Sequence, residues 1–452
     1  MNIKNKKVLV LGMGITGIST IKALFKLGAK IVVSDTKSEE DIKDILDNVN
    51  YIPIEKHLNT DDFDLEGIDL VVKSPGIPPF VKLMKRAAEK DIEVITDIEL
   101  AYRVSNNKNI IAITGTNGKT TSTILTGEIL KKAEKQTHVV GNIGTGIMDK
   151  ILESDLNDVF VAELSSFQLE HTASFKPKIG LITNITPDHL DWHGNFESYK
   201  CAKFKIFKNQ DYNDYLILNY DDMILRELKN KVKSKIIYFS VKEKLDEGIF
   251  IDGDDIKICL NNDSFHLMKW RDLKIIGNHN LENALGCIGI AIAMNIDRKI
   301  IKEVLESFHG VEHRLEFVAT KNGLTFYNDS KGTNPDASIK AIEAVKEPII
   351  LIAGGYDKGS NFEEFINSFN GKVKALILLG QTHEKIRNAA LSKNFNTIYV
   401  VSNMKEAVET SFKLGTEGDN VLLSPACASW GMYNNYEERG KDFKNQVLSL
   451  ME

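Results

Sequence analysis

The chain has 452 residues, with 57 Lys+Arg against 63 Asp+Glu and a formal net charge of −6. At roughly 150 residues per domain this length suggests about three domains. Charged residues at 27 % and hydrophobic ones at 42 % exclude a long disordered or coiled-coil chain, and the mild acidity argues against general nucleic-acid binding.

Short β-branched runs alternate with helical patterns, the rhythm of parallel α/β units. In a first block the predicted strands are 7–12, 30–35, 69–74 and 92–96, with helical stretches between the first two and between the last two. The small polar run Ser105-Asn106-Asn107-Lys108-Asn109 marks a boundary. The second block opens with a strand at 109–114 that runs into Gly115, and continues with strands at 158–165, 178–185 and 214–219. A hairpin over 248–260 turns at Gly253-Asp254, and one helical stretch from Asn278 to Phe308 closes the block. The third block starts near Gly310 with a hairpin around Asn322-Gly323, a strong turn signal. Strands at 348–355, 374–380, 397–401 and 420–426 follow, with helical patterns between them.

Several classes drop out along the way. No 18 consecutive apolar residues occur, so no membrane span is expected. The start MNIKNKKVLVLGMG runs from basic residues into a glycine-broken strand without a small-residue cleavage site, so no signal peptide is expected. Cys201, Cys259, Cys287 and Cys427 are far apart and form no CxxC pair. Neither a disulfide framework nor a zinc site is expected, and a reducing cytoplasm fits.

Two glycine loops carry the chemistry. Gly12-Met13-Gly14-Ile15-Thr16-Gly17 follows the first strand and opens a helix, and Asp35 ends the next strand. Such a turn lets the backbone approach a pyrophosphate at a helix N-terminus. The pattern alone is compatible with a nicotinamide or flavin site, a UDP-type diphosphate site or a structural turn; the UDP-type diphosphate is the favoured reading. The sharper loop is Thr114-Gly115-Thr116-Asn117-Gly118-Lys119-Thr120-Thr121. Its successive N–H groups form an anion cradle. Lys119 suits β- and γ-phosphates and the Thr120 hydroxyl suits Mg²⁺. The residue six before Lys119 is Ile113, so this is a compact variant of the standard phosphate loop.

In a parallel sheet, residues at the carboxyl ends of strands face the ligand crevice. Glu163 ends one such strand, where a carboxylate can hold the nucleotide's metal. His189 follows the next, in Thr183-Asn184-Ile185-Thr186-Pro187-Asp188-His189, and a neutral imidazole there can ligate a divalent cation or orient a carboxylate. Lys203 sits in a basic helical stretch and on its own reads as solvated.

Together these residues resemble the Mur ligase family of ATP-dependent amide-forming enzymes in peptidoglycan precursor synthesis. TGTNGKTT resembles the family's ATP loop, and Glu163, Asn184 and His189 resemble its central motifs. Asn278-His279-Asn280 and Asn283, then Arg314 and Asn328-Asp329-Ser330-Lys331, match in order through the third block. Within the family, Ser74-Pro75-Gly76, ELSSFQLE, NDSKGTNP and LLSPACASW point to the member that adds D-glutamate, and no Asp-Asn-Pro-Arg tetrapeptide occurs. The chain departs from well-known members at Trp430-Gly431-Met432-Tyr433 and at Lys37.

The resemblance implies an α/β protein of three domains. Residues 1–105 would form a Rossmann-like UDP-substrate-binding domain. Residues 106–309 would form a central P-loop-type ATPase domain with a mainly parallel sheet, and 310–452 a Rossmann-like amino-acid-binding domain. It implies that ATP phosphorylates the carboxylate of UDP-N-acetylmuramoyl-L-alanine and that the amine of D-glutamate attacks the acyl phosphate through a tetrahedral intermediate. Gly115, Thr116, Asn117, Gly118, Lys119, Thr120, Thr121, Asn283, Arg314 and Asp329 would bind ATP. Two Mg²⁺ ions would be held by Thr120, Glu163, His189 and a carbamylated Lys203. Ile15, Thr16, Asp35, Thr36, Ser74 and Gly76 would carry the uridine diphosphate, and Asn142 the acceptor. Thr333, Lys358 and Ser429 would serve D-glutamate, and Lys331 and Tyr436 would also bind substrate. A cytoplasmic monomer without nucleic-acid or membrane partners is expected.

Competing readings are a folylpolyglutamate-type or other ligase of the same fold, an NAD-dependent oxidoreductase, and a regulatory nucleotide binder. The uridine-type first block argues against the first. The second leaves TGTNGKTT unexplained, and the third gives Glu163, His189 and Lys203 no purpose.

Overall fold

The computed structural model describes residues 1–260, 263–275, 277–357 and 359–450. The chain packs as two compact units, Met1–Asp272 with Glu282–Leu305, and Leu273–Leu281 with Glu306–Glu452. Among the described residues it builds three sheets in three successive stretches.

The first sheet contains β1 (Lys7–Leu11), β2 (Lys30–Asp35), β3 (Ile54–Leu58), β4 (Leu70–Lys73) and β5 (Val94–Thr96). All are parallel, in the order β3-β2-β1-β4-β5. The order reverses on either side of β1, and ligands of open parallel sheets bind at such a switch point. β3 is absent from the sequence reading. It is an edge strand with exposed Glu55 and Lys56, so it lacks the apolar run that betrays the inner strands.

The second sheet holds β6 (Ile110–Thr114), β7 (Thr137–Gly141), β8 (Val159–Glu163), β9 (Ile179–Ile182), β10 (Tyr215–Asn219), β11 (Lys235–Ser240), β12 (Gly248–Asp252), β13 (Asp255–Leu260) and β14 (Asp263–Lys269). Their order is β14-β13-β12-β11-β10-β9-β6-β8-β7. The ladder is parallel from β7 to β12 and antiparallel over the last two pairs. β7, β11 and β14 are not among the strands expected from the sequence. β7 and β14 are edge strands, and β11 carries a plain Ile-Ile-Tyr-Phe run. The single helical stretch expected over 278–308 is two helices, Asn278–Ala293 and Arg298–Ser307. Asn295 takes φ 55° between them, the left-handed conformation that ends helices and that asparagine tolerates.

β1, β6 and β8 are buried nearly throughout, as strands covered on both faces must be. One apolar cluster runs from Val8 and Ile98 to Ile147 and Phe175, so the first two sheets share a core within the first unit. The Glu99 carboxylate, fully buried, strengthens this join. It accepts the N–H groups of Ala173 (3.0 Å), Ser174 (2.8 Å) and Phe175 (2.9 Å) and pairs with Arg103.

In the second unit lie β15 (Glu316–Lys321), β16 (Leu324–Asn328), β17 (Ile349–Ala353), β18 (Val373–Leu378), β19 (Ile398–Val400) and β20 (Asn420–Leu423). Their order is β15-β16-β20-β17-β18-β19. β15 and β16 form the expected hairpin. Asn322 and Gly323 turn at φ 48° and 76°, the two positive values that a type I′ turn requires.

Candidate active site

The loop after β6 turns on two glycines at which any side chain would crowd its neighbours. A Cβ on Gly115 would lie 1.9 Å from Thr183 Oγ1, and one on Gly118 would lie 2.1 Å from Asn283 Oδ1. Gly118 takes φ 83° as it opens helix Lys119–Lys132. The segment after β9 laces the loop in place. The Asn117 N–H donates to Asn184 Oδ1 at 2.9 Å, and Thr183 Oγ1 donates to the Asn117 carbonyl at 2.5 Å. The Thr116 N–H donates to the Asn184 carbonyl at 2.9 Å, and Thr116 Oγ1 lies 3.0 Å from Tyr199 Oη. Lys119 folds back so that its Nζ donates to the carbonyls of Gly115 (2.9 Å) and Thr116 (2.8 Å). The loop thus keeps a cation and a helix N-terminus at one point, the requirement for an anion. Thr120 and Thr121 are buried in the first turn.

β6 lies between β8 and β9, which brings Glu163 and the 183–189 segment to either side of the loop. Glu163 ends β8 opposite Ile113 and is 1 % exposed. Its Oε1 accepts from Asn142 Nδ2 at 2.9 Å. Its Oε2 is buried without a hydrogen-bond partner among the described residues. A buried carboxylate oxygen left this way costs free energy and fits the oxygen preference of a hard divalent cation. Asn142 is therefore brought to Glu163, a pairing its sequence position does not reveal.

His189 takes φ 50° at the start of helix Leu190–His193. Its side chain is half exposed, packs edge-on to Phe167 and has Nε2 3.5 Å from Asp188 Oδ2. Lys203, in helix Phe196–Phe204, is 1 % exposed, so the solvated reading of its residue type fails. Its Nζ donates to the Gly115 carbonyl at 2.7 Å and lies 4.8 Å from the Tyr199 ring centre. Burial first, and the Lys119 charge second, push this amine well below the usual lysine range, against the pull of Asp188 and Glu163.

The first glycine loop is built on the same logic. Gly12 takes φ 94°, and a Cβ on Gly17 would stand 2.2 Å from the Gly12 carbonyl. Asp35 accepts the Met13 N–H at 2.8 Å and the Lys37 N–H at 3.0 Å, so its carboxylate shapes the loop itself. Ser74 Oγ donates to the Gly12 carbonyl at 3.0 Å. Ile15, Thr36 and Gly76 are exposed and Thr16 half-buried around that turn.

The remaining residues cluster in the second unit. Asp329 follows β16; its Oδ2 accepts from Ser424 Oγ at 2.7 Å and its Oδ1 from the Leu315 N–H at 3.3 Å. Burial pushes this carboxyl up to about 7, although Ser424, the Leu315 N–H, Arg314 and Arg439 oppose the shift. Lys331 Nζ donates to Tyr436 Oη at 3.1 Å, and the Thr333 N–H to the Lys331 carbonyl at 2.8 Å. Ser429 is buried just before the exposed Trp430. Lys358 lies outside the described residues.

Sequence reasoning missed Thr183, Tyr199, Ser424 and Arg439. The first three lie inside runs already singled out. Arg439 sends no signal, since arginine on a polar helix reads as solvated. Here it is buried, with Nη2 2.7 Å from the Ser330 carbonyl, Nη1 3.0 Å from the Cys427 carbonyl and Nε 3.0 Å from Ser330 Oγ.

Known proteins share this whole architecture. Three family models match in chain order: the Mur ligase MurD-like N-terminal domain over residues 6–96, the Mur ligase middle domain over 113–291 and the Mur ligase glutamate ligase domain over 313–427. A UDP-N-acetylmuramoylalanine–D-glutamate ligase of Clostridioides difficile (strain 630) is 49 % identical over 454 residues, covering 100 % of both chains. The enzyme of that name from Alkaliphilus oremlandii is 47 % identical with the same coverage. Among solved structures, UDP-N-acetylmuramate-alanine ligase MurC from Thermotoga maritima superposes with a TM-score of 0.59 at 21 % identity, covering 98 % of this chain and 99 % of that one. MurF ligase from the same organism, in complex with ADP, gives 0.57 at 16 % identity, covering 99 % and 96 %. The solved structures share the fold. The near-half identity over full length goes further: the chain belongs to the Mur ligase family.

Proposed function

We propose that the chain joins D-glutamate to UDP-N-acetylmuramoyl-L-alanine with cleavage of ATP, forming an amide bond in peptidoglycan precursor synthesis. The observation that carries this reading is its near-half identity, over full length, to ligases of that name. The blocks 1–105, 106–309 and 310–452 then serve the uridine substrate, ATP and the amino acid.

The Gly115–Thr121 loop and Lys119 hold the β- and γ-phosphates, and Asn283, beside Gly118, serves the nucleotide as well. Arg314 and Asp329 would also bind ATP. Phosphoryl transfer needs mainly alignment and charge neutralisation. Asn142, held by Glu163, orients the acceptor whose carboxylate attacks the γ-phosphorus as the bond to the β,γ-bridging oxygen breaks and ADP leaves. The D-glutamate amine then attacks the acyl carbon, and phosphate leaves as the tetrahedral intermediate collapses. Lys331, Thr333, Lys358, Ser429 and Tyr436 supply the cation, hydroxyls and aromatic face for the amino acid. Two Mg²⁺ ions, held by Thr120, Glu163, His189 and a carbamylated Lys203, would neutralise the phosphate charge. Lys203 suits that modification, because a buried amine whose charged form is disfavoured keeps the lone pair that adds to CO₂, releasing one proton. Ile15, Thr16, Asp35, Thr36, Ser74 and Gly76 take the uridine diphosphate.

Phosphate release from ATP with Mg²⁺ and UDP-N-acetylmuramoyl-L-alanine is the test, adding D-glutamate, L-glutamate, lysine or diaminopimelate in turn. Release with D-glutamate alone is expected. Release with another amino acid would move the specificity, and no release at all would discard the ligase reading.

A further inference from the structure

Immediately before the Ser74–Gly76 loop, the last residue of β4 is a lysine in the interior. Lys73 is 1 % exposed. Its Nζ donates to the Pro75 carbonyl at 3.4 Å and lies 5.3 Å from the Trp192 ring centre. Trp192 belongs to the short helix that begins after His189. The acidic groups facing the amine are Glu170 and Asp97. Asp97 opens helix Asp97–Val104 and is itself buried. Among the described residues its Oδ1 has no hydrogen-bond partner, nor have the buried Nε2 of His171 and Nε1 of Trp192.

This is a costly arrangement. Burying a lysine ammonium without a close carboxylate carries a desolvation penalty that an apolar side chain of the same size avoids. Burial already pulls the amine down to about 8 and pushes the Asp97 carboxyl up to about 6. A structural ion pair would bring the two together; here the ammonium is spent instead on a loop carbonyl.

We propose that Lys73 is a positioning residue for the uridine nucleotide: its buried ammonium, set against the Pro75 carbonyl between the Ser74–Gly76 loop and Trp192, presents a fixed positive charge behind the loop that takes the diphosphate. The charge acts through the protein interior, where it is screened far less than a surface lysine. Asp97 partly offsets it from the other side. The inference rests on the assignment of the diphosphate to this loop.

Calorimetric binding of UDP at pH 7, with KM values for both nucleotide substrates, tests it. Lys73→Met keeps the apolar stem. It is expected to weaken UDP at least about fivefold and raise the KM for UDP-N-acetylmuramoyl-L-alanine to match, with the KM for ATP unchanged. Asp97→Asn removes the offsetting charge and is expected to tighten UDP at least about twofold, the opposite of what loss of a structural pair does. UDP binding within about twofold of wild type in a folded Lys73→Met variant overturns the inference. So does weaker or unchanged binding in Asp97→Asn, which decides the matter if Lys73→Met fails to fold. Failure of the unaltered protein to bind UDP would overturn the diphosphate assignment and the inference with it.

Discussion

Replacing Glu163 by glutamine should move activity and stability in opposite directions. The carboxylate is 1 % exposed, with one oxygen held by Asn142 Nδ2 at 2.9 Å and the other without a partner among the described residues. Leaving such an oxygen unsatisfied costs about 1–3 kcal/mol, more when it carries charge. Glutamine keeps the acceptor for Asn142 and removes the charge, so the folded state should gain about 1–2 kcal/mol. For a unit of this size that is a rise of about 2–3 °C in Tm. Catalysis should suffer, because a charge-stabilising group at a transferring phosphoryl is worth about 100- to 1000-fold in kcat. Thermal unfolding without Mg²⁺ or nucleotide gives the first quantity, and steady-state phosphate release gives the second. Adding Mg²⁺ with ATP should raise the wild-type Tm more than that of Glu163→Gln, since only a ligand that binds the folded state stabilises it. A variant that is less stable than wild type and still within about tenfold of its kcat would refute the metal-holding role of this carboxylate.

Gly118→Ala should lose most activity and about 1–3 kcal/mol of stability, because φ 83° and the Asn283 amide both oppose a Cβ there; refolded protein with normal ATP turnover would contradict this. Lys203→Met should fold, since it removes a disfavoured buried amine, yet lose at least about 100-fold in kcat. In the wild type, ¹³C NMR after exposure to ¹³CO₂ should show a carbamate signal that the variant lacks. Asp329 gives a pH signature. Its folded carboxyl titrates near 7, far above an unfolded aspartate at about 3.9. Its contribution is therefore complete below pH of about 4 and is lost as pH rises through about 7, at up to about 1.4 kcal/mol per unit of difference. Tm measured from pH 4 to 8 should show that decline in wild type and a flatter curve in Asp329→Asn; parallel curves would rule it out.

Much of the fold was legible along the chain. Strands such as β1, β6, β8 and β17 are buried on both faces and must be continuous apolar runs. The Asn322-Gly323 turn was legible because two positive φ values admit few other residues. The edge strands β3, β7 and β14 were not. Their side chains are partly wet, and what makes them strands is the neighbour that completes their hydrogen bonds. The break at Asn295 carries no sequence signal, because asparagine is compatible with a helix pattern and its left-handed φ exists only in the fold.

The candidate site divides the same way. Residue types with a narrow chemical use, the glycines around Lys119 and the strand-end Glu163, announce themselves by order and spacing. What the sequence alone determined is which groups end their strands or loops at the ligand-facing edge, because chain direction dictates that in a parallel sheet. Tertiary structure alone decided their environment. Lys203 and Lys73 look like any surface lysines in sequence and are interior in the fold. Asp35 is committed to the Met13 and Lys37 N–H groups, and Arg439 is buried among three oxygens. Desolvation and pairing depend on neighbours remote in the chain. They set whether an amine is charged, whether a carboxylate is spare and whether a cation serves the core or a ligand, and no local pattern of residues contains them.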